Sequence, residues 1–307
     1  MYQKALKVLI ATAAVAISLN ATALPLSEYN LILAEDYNFS GGDVEGKTFI
    51  GGNLNASGRA VDLATKEPTL TLSDTVKVVG DINANNINIQ HGNIIYAGSN
   101  NVTGSINFNG AGGLIHDSSL SIDAVMADLE TASLQFSGLS ANGAYTTGTT
   151  SLDYLGSDAV AVFNVDATDI FAQNNSLRLN YNAAETVIIN VSGSIIEAKG
   201  GVNLVDGFRS HELGARNILW NFFEADTIDF NNIAMFGSVL AAGADITGGA
   251  VFDGSVAANS YTGGREFHRF LFNPPAIDVP EPSSGILLML GIGLLALGRQ
   301  RQLSKSA

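Results

Sequence analysis

The chain has 307 residues, no cysteine and a formal charge of −14, from 15 Lys and Arg against 29 Asp and Glu. This composition excludes disulfides, zinc–thiolate and iron–sulfur sites and cysteine nucleophiles, and it speaks against a nucleic-acid binder, whose phosphate contacts need a basic face. With 33 Gly, 46% hydrophobic and only 14% charged residues, the chain reads as strands and turns, neither disordered nor a helical bundle.

Lys4 and Lys7 open an apolar run through Leu9, Ile10, Val15 and Ile17 to Leu19, followed by Ala21-Thr22-Ala23. Charged head, apolar middle and small-residue site make residues 1–23 a secretory signal peptide, with Leu24 the first residue of the mature protein. Residues 24–278 form the exported body. The two ends hold five of the basic residues and one of the acidic ones, so the body carries 10 basic against 28 acidic residues, a net −18. Such a surface is soluble, repels nucleic acid and anionic lipid, and attracts cations.

The body begins as short strands punctuated by Gly and Asn: Phe49 to Leu54, Val76 to Ile82, then Ile87, Ile89, Ile94 and Ile95, then Ile106 to Gly110. Period-two apolar placement between turn residues is a strand signal. Few Asn-Gly or Asp-Gly turns occur, which disfavours a hairpin meander. Asn83, Asn85 and Asn86 suggest side-chain ladders and a flat polar face. From Ser119 to Phe136 the period changes: Ile122, Val125, Met126, Leu129 and Phe136 share one helical face, with Ser121 or Asp123 as cap. Its apolar face reads as core, and the helix is expected alongside the β body.

Farther on, Asn164 to Asp169 gathers oxygen side chains without the Gly and closing Glu of an EF-hand, a solvated turn more than a calcium loop. Trp220 and Phe222 share one strand face with Phe223 opposite, read as core rather than an adhesive surface. Gly237-Ser238-Val239-Leu240-Ala241-Ala242 recurs in weaker form as Gly254-Ser255-Val256-Ala257-Ala258-Asn259, and Val191-Ser192-Gly193-Ser194-Ile195-Ile196 carries a related signature. Recurrence at about 20 residues suggests solenoid coils, with a β-sandwich as the other architecture.

At the end stand Val279-Pro280-Glu281-Pro282, an uncharged stretch from Ser283 to Gly298, and Arg299, Arg301 and Lys305. Residues 279–307 read as a sorting segment: a short transmembrane helix, below the usual length of about 20 residues, with Arg299 and Arg301 as its membrane stop and the body facing outward. This three-part order resembles the PEP-CTERM sorting signal of Gram-negative bacteria. The resemblance implies processing by an exosortase-type enzyme that reads Pro280, Glu281 and Pro282, in bacteria that also export polysaccharide.

The body resembles the choice-of-anchor A family. Tyr29 to Leu33 and Val44 to Asn53 look like that family's opening. Ile218 to Phe223, Phe236 to Ala241, Phe252 to Val256 and Gly264 to His268 look like its close. Leu240-Ala241-Ala242-Gly243 lacks the Pro often seen there, which leaves the corner after that strand open. The resemblance implies an ice-binding-like adhesive domain: a right-handed parallel β-solenoid, mainly β, with one helix packed alongside.

No catalytic set is legible. His91, His116, His211 and His268 lack zinc-helix spacing and read as turn or strand-edge residues. Asp226 and Asp229 split to opposite faces if their segment is a strand. No nucleophile elbow, P-loop or dinucleotide fingerprint is present. The sequence therefore predicts no catalytic residue, no metal ligand and no cofactor. It predicts a non-enzymatic, exported surface or matrix protein of a Gram-negative bacterium, adhesive or structural, at least transiently membrane-anchored. Its expected partners are the exosortase-type enzyme, the membrane, and exopolysaccharide or other surface proteins. The alternatives are a carbohydrate-active β-helix enzyme and an ice binder, the latter without a strict Thr-x-Thr array.

Overall fold

The computed structural model describes residues 23–68, 73–146, 148, 150–209 and 211–275. The signal peptide (except Ala23), Pro280, Glu281, Pro282, Arg299, Arg301 and the apolar stretch between them lie outside the described residues. Among the described residues no helix is long and apolar enough to cross a membrane.

The strands stack in parallel as coils of a three-sided β-solenoid. The first side runs through Leu31–Leu33, Thr48–Ile50, Asp74–Val78, Asn93–Tyr96 and Leu114–His116 in one direction. In the other it runs from Leu31–Leu33 through Val256–Gly263, Ser238–Thr247, Ile218–Asn221 and Thr186–Ser192 to Val160–Asp166. Spatial order is therefore not chain order. The N-terminal coil sits in the middle, with the last coil stacked on its back. The second side repeats this junction, where Tyr37–Phe39 lies between Val256–Gly263 and Leu54–Leu63. On the third side Val44 pairs Phe267 on one flank and Leu63 on the other.

Coil length varies, and this is set by the corners. Asn38 and Asn55, in register on neighbouring strands, are 17 residues apart, while Asn190 and Asn221, also in register, are 31 apart. The echo of residues 237–242 in 254–259 is one true coil: Val239 pairs Val256 and Leu240 pairs Ala257. The corner at Ala242 and Gly243 is a bulge inside one continuous strand, with the register shifting between Ala241 and Asp245. Gly193, by contrast, lies at the corner before Ile195–Glu197, on the second side, so the signature at 191–196 is not a third copy of that coil.

The helix α1 (Asp123–Ser137) lies against the outside of the first side. It carries the chain back across the junction. Fifteen residues at about 1.5 Å rise give roughly 22 Å, and the five steps from the Thr48 coil to the Thr186 coil, at about 4.8 Å each, give roughly 24 Å. Met126, Leu129, Ala132 and Phe136 are buried against Ile32, Phe49, Ile188, Leu219, Leu240 and Ala257. Strands of this side are thus covered on both faces, which is why Leu31–Leu33 and Ile218–Asn221 are apolar or buried throughout. Ser121 is the capping side chain: its Oγ accepts from the Asp123 N–H at 3.1 Å. Asp123 supplies charge to the first turn.

The axis of the solenoid is filled by aliphatic and aromatic side chains. Trp220, Phe222, Phe230, Phe252, Phe267 and Tyr37 are all buried, with ring centroids of successive neighbours from Phe222 onward 4.9–6.4 Å apart. Trp220 and Phe222 are core, as their pattern predicts. Phe223 faces outward, half-buried beside α1.

Candidate functional site

A regular surface of side-chain ladders runs along the N-terminal coils. Asn38, Asn55 and Asn83 occupy equivalent outward positions, and Asn101 follows beside the Ile82–Asn100 bridge. Their amides bond in single file. Asn101 Nδ2 donates to Asn83 Oδ1 (2.8 Å), Asn83 to Asn55 (2.9 Å), Asn55 to Asn38 (3.0 Å), and Asn38 to Thr262 Oγ1 (3.1 Å). A second file on the third side joins Asn107 to Asn88 and Asn88 to Asp62, both at 2.8 Å. Asn85 accepts from Thr103 Oγ1, and Asn86 accepts from the Ser105 N–H.

The neighbouring corner is built by a different device. Asp36 Oδ1 accepts the Asn53 N–H, Asn53 Oδ1 accepts the Asp81 N–H, and Asp81 Oδ1 accepts the Ser99 N–H, at 2.7–2.8 Å. The preceding Gly52 and Gly80 leave room for this: a Cβ at Gly80 would lie 2.5 Å from Gly52 O and 2.6 Å from Asn53 Oδ1. The sequence signal is the repeat Gly52-Asn53-Leu54-Asn55-Ala56 and Gly80-Asp81-Ile82-Asn83-Ala84. Its offset of 28 residues hides it from a search for shorter repeats.

Asn38, Asn83 and Asn101 each commit one N–H to the file, which leaves a second N–H and carbonyl lone pairs accessible. The face therefore offers neutral donor–acceptor pairs at about 4.8 Å intervals, suited to repeated contact with hydroxyl groups. Of the residues the sequence suggests, Asn83 joins the file of Asn38, Asn55 and Asn101, while Asn85 and Asn86 bond Thr103 and Ser105 near the next corner; Asn88 and Asn107 form the separate file on the third side.

The other candidates resolve into structural roles. Asp166 accepts from Thr168 Oγ1 (2.6 Å) and from the Thr168 N–H (2.8 Å), capping the short helix Ala167–Ile170. Those two bonds hold its carboxyl below the usual range. Asp226 sits at the corner before Thr227–Asp229, and Asp229 Oδ1 caps the Asn231 N–H at 2.7 Å. His91 borders the Gly110 backbone, His116 Nε2 lies 3.0 Å from Ala97 O, and His211 opens the short helix His211–Asn217. A shallow groove of about 300 Å³ beside α1 is lined by Ser137, Asn164, Asp166, Asn190, Ser192 and Phe223. Its Asn190 amide is spent on the Phe136 carbonyl and on Asn164. Among the described residues no group of three or more His, Asp or Glu is arranged to hold a metal.

His268 is more than a strand-edge residue. It belongs to a charged clamp that closes the junction of the two halves. Nδ1 lies 2.6 Å from Asp253 Oδ1, and Nε2 lies 3.3 Å from Glu266 and 3.9 Å from the buried Glu45. Glu45 also pairs with Lys66 and accepts the Arg269 N–H at 2.9 Å, and Arg269 pairs with Glu67 at 3.0 Å. Burial opposes the charge on His268, but Asp253, then Glu45 and Glu266, outweigh it and raise its pKa. A raised folded-state pKa gives stability that is full below the unfolded value of about 6.5 and lost as pH rises through the folded value. Thermal melts of the wild type should therefore fall as pH rises above about 6.5, and His268→Gln should flatten that slope. An unchanged slope in the variant would discount the clamp.

Compared with known families, residues 23–269 match the ice-binding-like adhesive domain, and residues 278–302 match the PEP-CTERM protein-sorting motif. No curated protein and no solved structure matches the chain. The chain belongs to the ice-binding-like adhesive domain family. With its sorting motif it is an exported surface protein addressed to an exosortase-type enzyme.

Proposed function

We propose that this surface protein is a non-enzymatic adhesin that holds a neutral exopolysaccharide on its amide ladders. The carrying observation is the file Asn38–Asn55–Asn83–Asn101, in which neutral amides repeat once per coil. The acidic body disfavours anionic polymers, and a ladder with no convergent acid–base set supports holding rather than cleaving. The winding is taken as right-handed, as in nearly all parallel crossovers. The segment 279–307 anchors the chain transiently in the membrane until the exosortase-type enzyme, reading Pro280, Glu281 and Pro282, passes it to the surface or matrix.

Two measurements test this. Deleting Gly285 to Ala307 should leave a folded body released into the medium instead of retained on cells; continued retention would refute the sorting role. Purified body should bind a neutral polysaccharide through many weak contacts. Asn83→Ala alone should weaken binding by about threefold, the loss of one modest hydrogen bond, and Asn55→Ala with Asn83→Ala by more. Binding that survives loss of the whole file, or cleavage of the polymer by folded protein, would overturn the reading.

A further inference from the structure

We infer that the solenoid end formed by Ile106–Phe108 and Leu114–His116 is a self-association surface, on which a second copy of this chain stacks end-on. The inference is independent of the polysaccharide reading.

The two ends of the solenoid are built differently. At the Val160–Asp166 end the chain folds over its own edge. The Asn142 and Gly143 N–H groups donate to Val162 O, and Asn142 Oδ1 accepts the Val162 N–H. Gly143 lies so close to the Phe163 ring that a Cβ would meet it at 2.2 Å. Inward side chains of that terminal coil are sealed: Ala161 0%, Phe163 1%, Leu152 0% and Tyr154 1% exposed. At the opposite end no such cover exists among the described residues. Ile106, Phe108 and Leu114 point inward but are only partly buried, whereas Ile87, Ile89 and Ile94, one coil deeper in the same rows, are fully buried. The strands Ile106–Phe108 and Leu114–His116 are paired on one flank only among the described residues.

Open strand edges are ordinarily defended by Lys, Pro or inward charges. This one has none: between Asp81 and Asp117 the sequence contains no Asp, Glu, Lys, Arg or Pro. In a chain of net charge −14, like copies repel across most surfaces, and this end is where they can meet without that cost. The amide files reach the same end. Asn101 and Asn107 donate inward to Asn83 and Asn88, so their carbonyls are the next acceptors outward. The open backbone edges of Ile106–Phe108 and Leu114–His116 carry both N–H and C=O groups, so a copy related by a two-fold axis brings donors to those acceptors, which is the self-complementarity such a contact requires. The described chain leaves the body far from this end, where the Phe272 N–H bonds Leu26 O and the Asn273 N–H bonds Arg216 O.

Sedimentation velocity of the exported full chain in mild detergent, over a wide concentration range, tests this. A monomer–dimer equilibrium is expected. Asn101→Asp with Asn107→Asp should weaken it by about tenfold or more, because like charges then face each other. Thr103→Lys with Ser105→Lys should weaken it similarly, since in a contact between identical copies either sign repels. All four side chains are exposed, and unchanged circular dichroism would verify folding. Ser140→Asp with Ser157→Asp, at the capped end, should change nothing. Hydrogen exchange at 105–108 and 114–116 should slow as concentration rises. A monomer at all concentrations, or a dimer indifferent to both charged pairs, would overturn the inference. So would one sign strengthening association, which indicates a different partner. Protection that is independent of concentration and lost on deleting residues 276–307 would also overturn it, making the chain's own tail the occupant.

Discussion

Leu129→Asp should detach α1 and bring the chain close to unfolding, a loss of about 3–5 kcal/mol, the cost of an uncompensated buried charge. Leu129 is 0% exposed in the seam between α1 and the first side of the solenoid. The two halves of the chain meet along that seam, so the loss is not confined to one helix. Total stabilities of about 5–15 kcal/mol leave little after such a change. Leu134, two-thirds exposed on the outer face of the same helix, is the control: Leu134→Asp should leave the denaturant midpoint nearly unchanged. Equal midpoints for the two variants would mean that the seam does not hold the halves together.

α1 is the most legible element, because the change from period two to period 3.6 between Ile122 and Phe136 has no β reading. Its partner surface is not legible. The outward positions of the first side, Ile32, Phe49, Leu219 and Leu240, lie within apolar runs, and an apolar run does not say which element covers it. The echo of residues 237–242 is legible because these two coils repeat the same small residues, Gly-Ser-Val and Ala, in register. Other coils are not, since bulges such as the one between Ala56 and Ala60 shift the register, from Ala56 opposite Ala84 to Ala60 opposite Asn86, and so vary the offset within one pair of coils. Stacking of the final coil on the first leaves no periodic trace at all. It rests on contacts 224 and 238 residues apart, in which Asn30 donates to the carbonyls of Gly254 and His268. The same side chain accepts the Gly46 N–H. The candidate site is half legible. Asn83, Asn85 and Asn86 suggest ladders, but their files are assembled from other coils. His268 looks isolated in sequence because Asp253 and Glu45 reach it through the fold, and Glu266 two residues before it is not by itself a signal.

A buried file beneath α1 gives the other large expectation. Asn221 is 0% exposed and all its bonds are internal. Its Nδ2 donates to Ser133 O and to Asn190 Oδ1, both at 2.9 Å, while its Oδ1 accepts from Ser133 Oγ at 2.7 Å. Asn190 in turn donates to Phe136 O at 2.8 Å, satisfying a carbonyl in the last turn of α1. Asn221→Asp changes almost no volume but replaces the donor with a second acceptor. The new oxygen would face Ser133 O and Asn190 Oδ1, two acceptors, in a site sealed from water. The variant should lose about 3 kcal/mol or more at neutral pH, as for a buried charge without a partner. Its pH dependence carries the diagnosis. Burial and facing acceptors raise the folded-state pKa of the introduced carboxyl above the unfolded value of about 3.9. Between those two values the folded state holds the extra proton, so the variant should regain stability as pH falls through the raised pKa. The protonated carboxyl can then donate one bond in place of the lost amide. Denaturant titrations of Asn221→Asp and wild type at several pH values should converge toward acid; a deficit that stays constant with pH would mean that the carboxylate has found water or a cation, and that the file beneath α1 is not sealed.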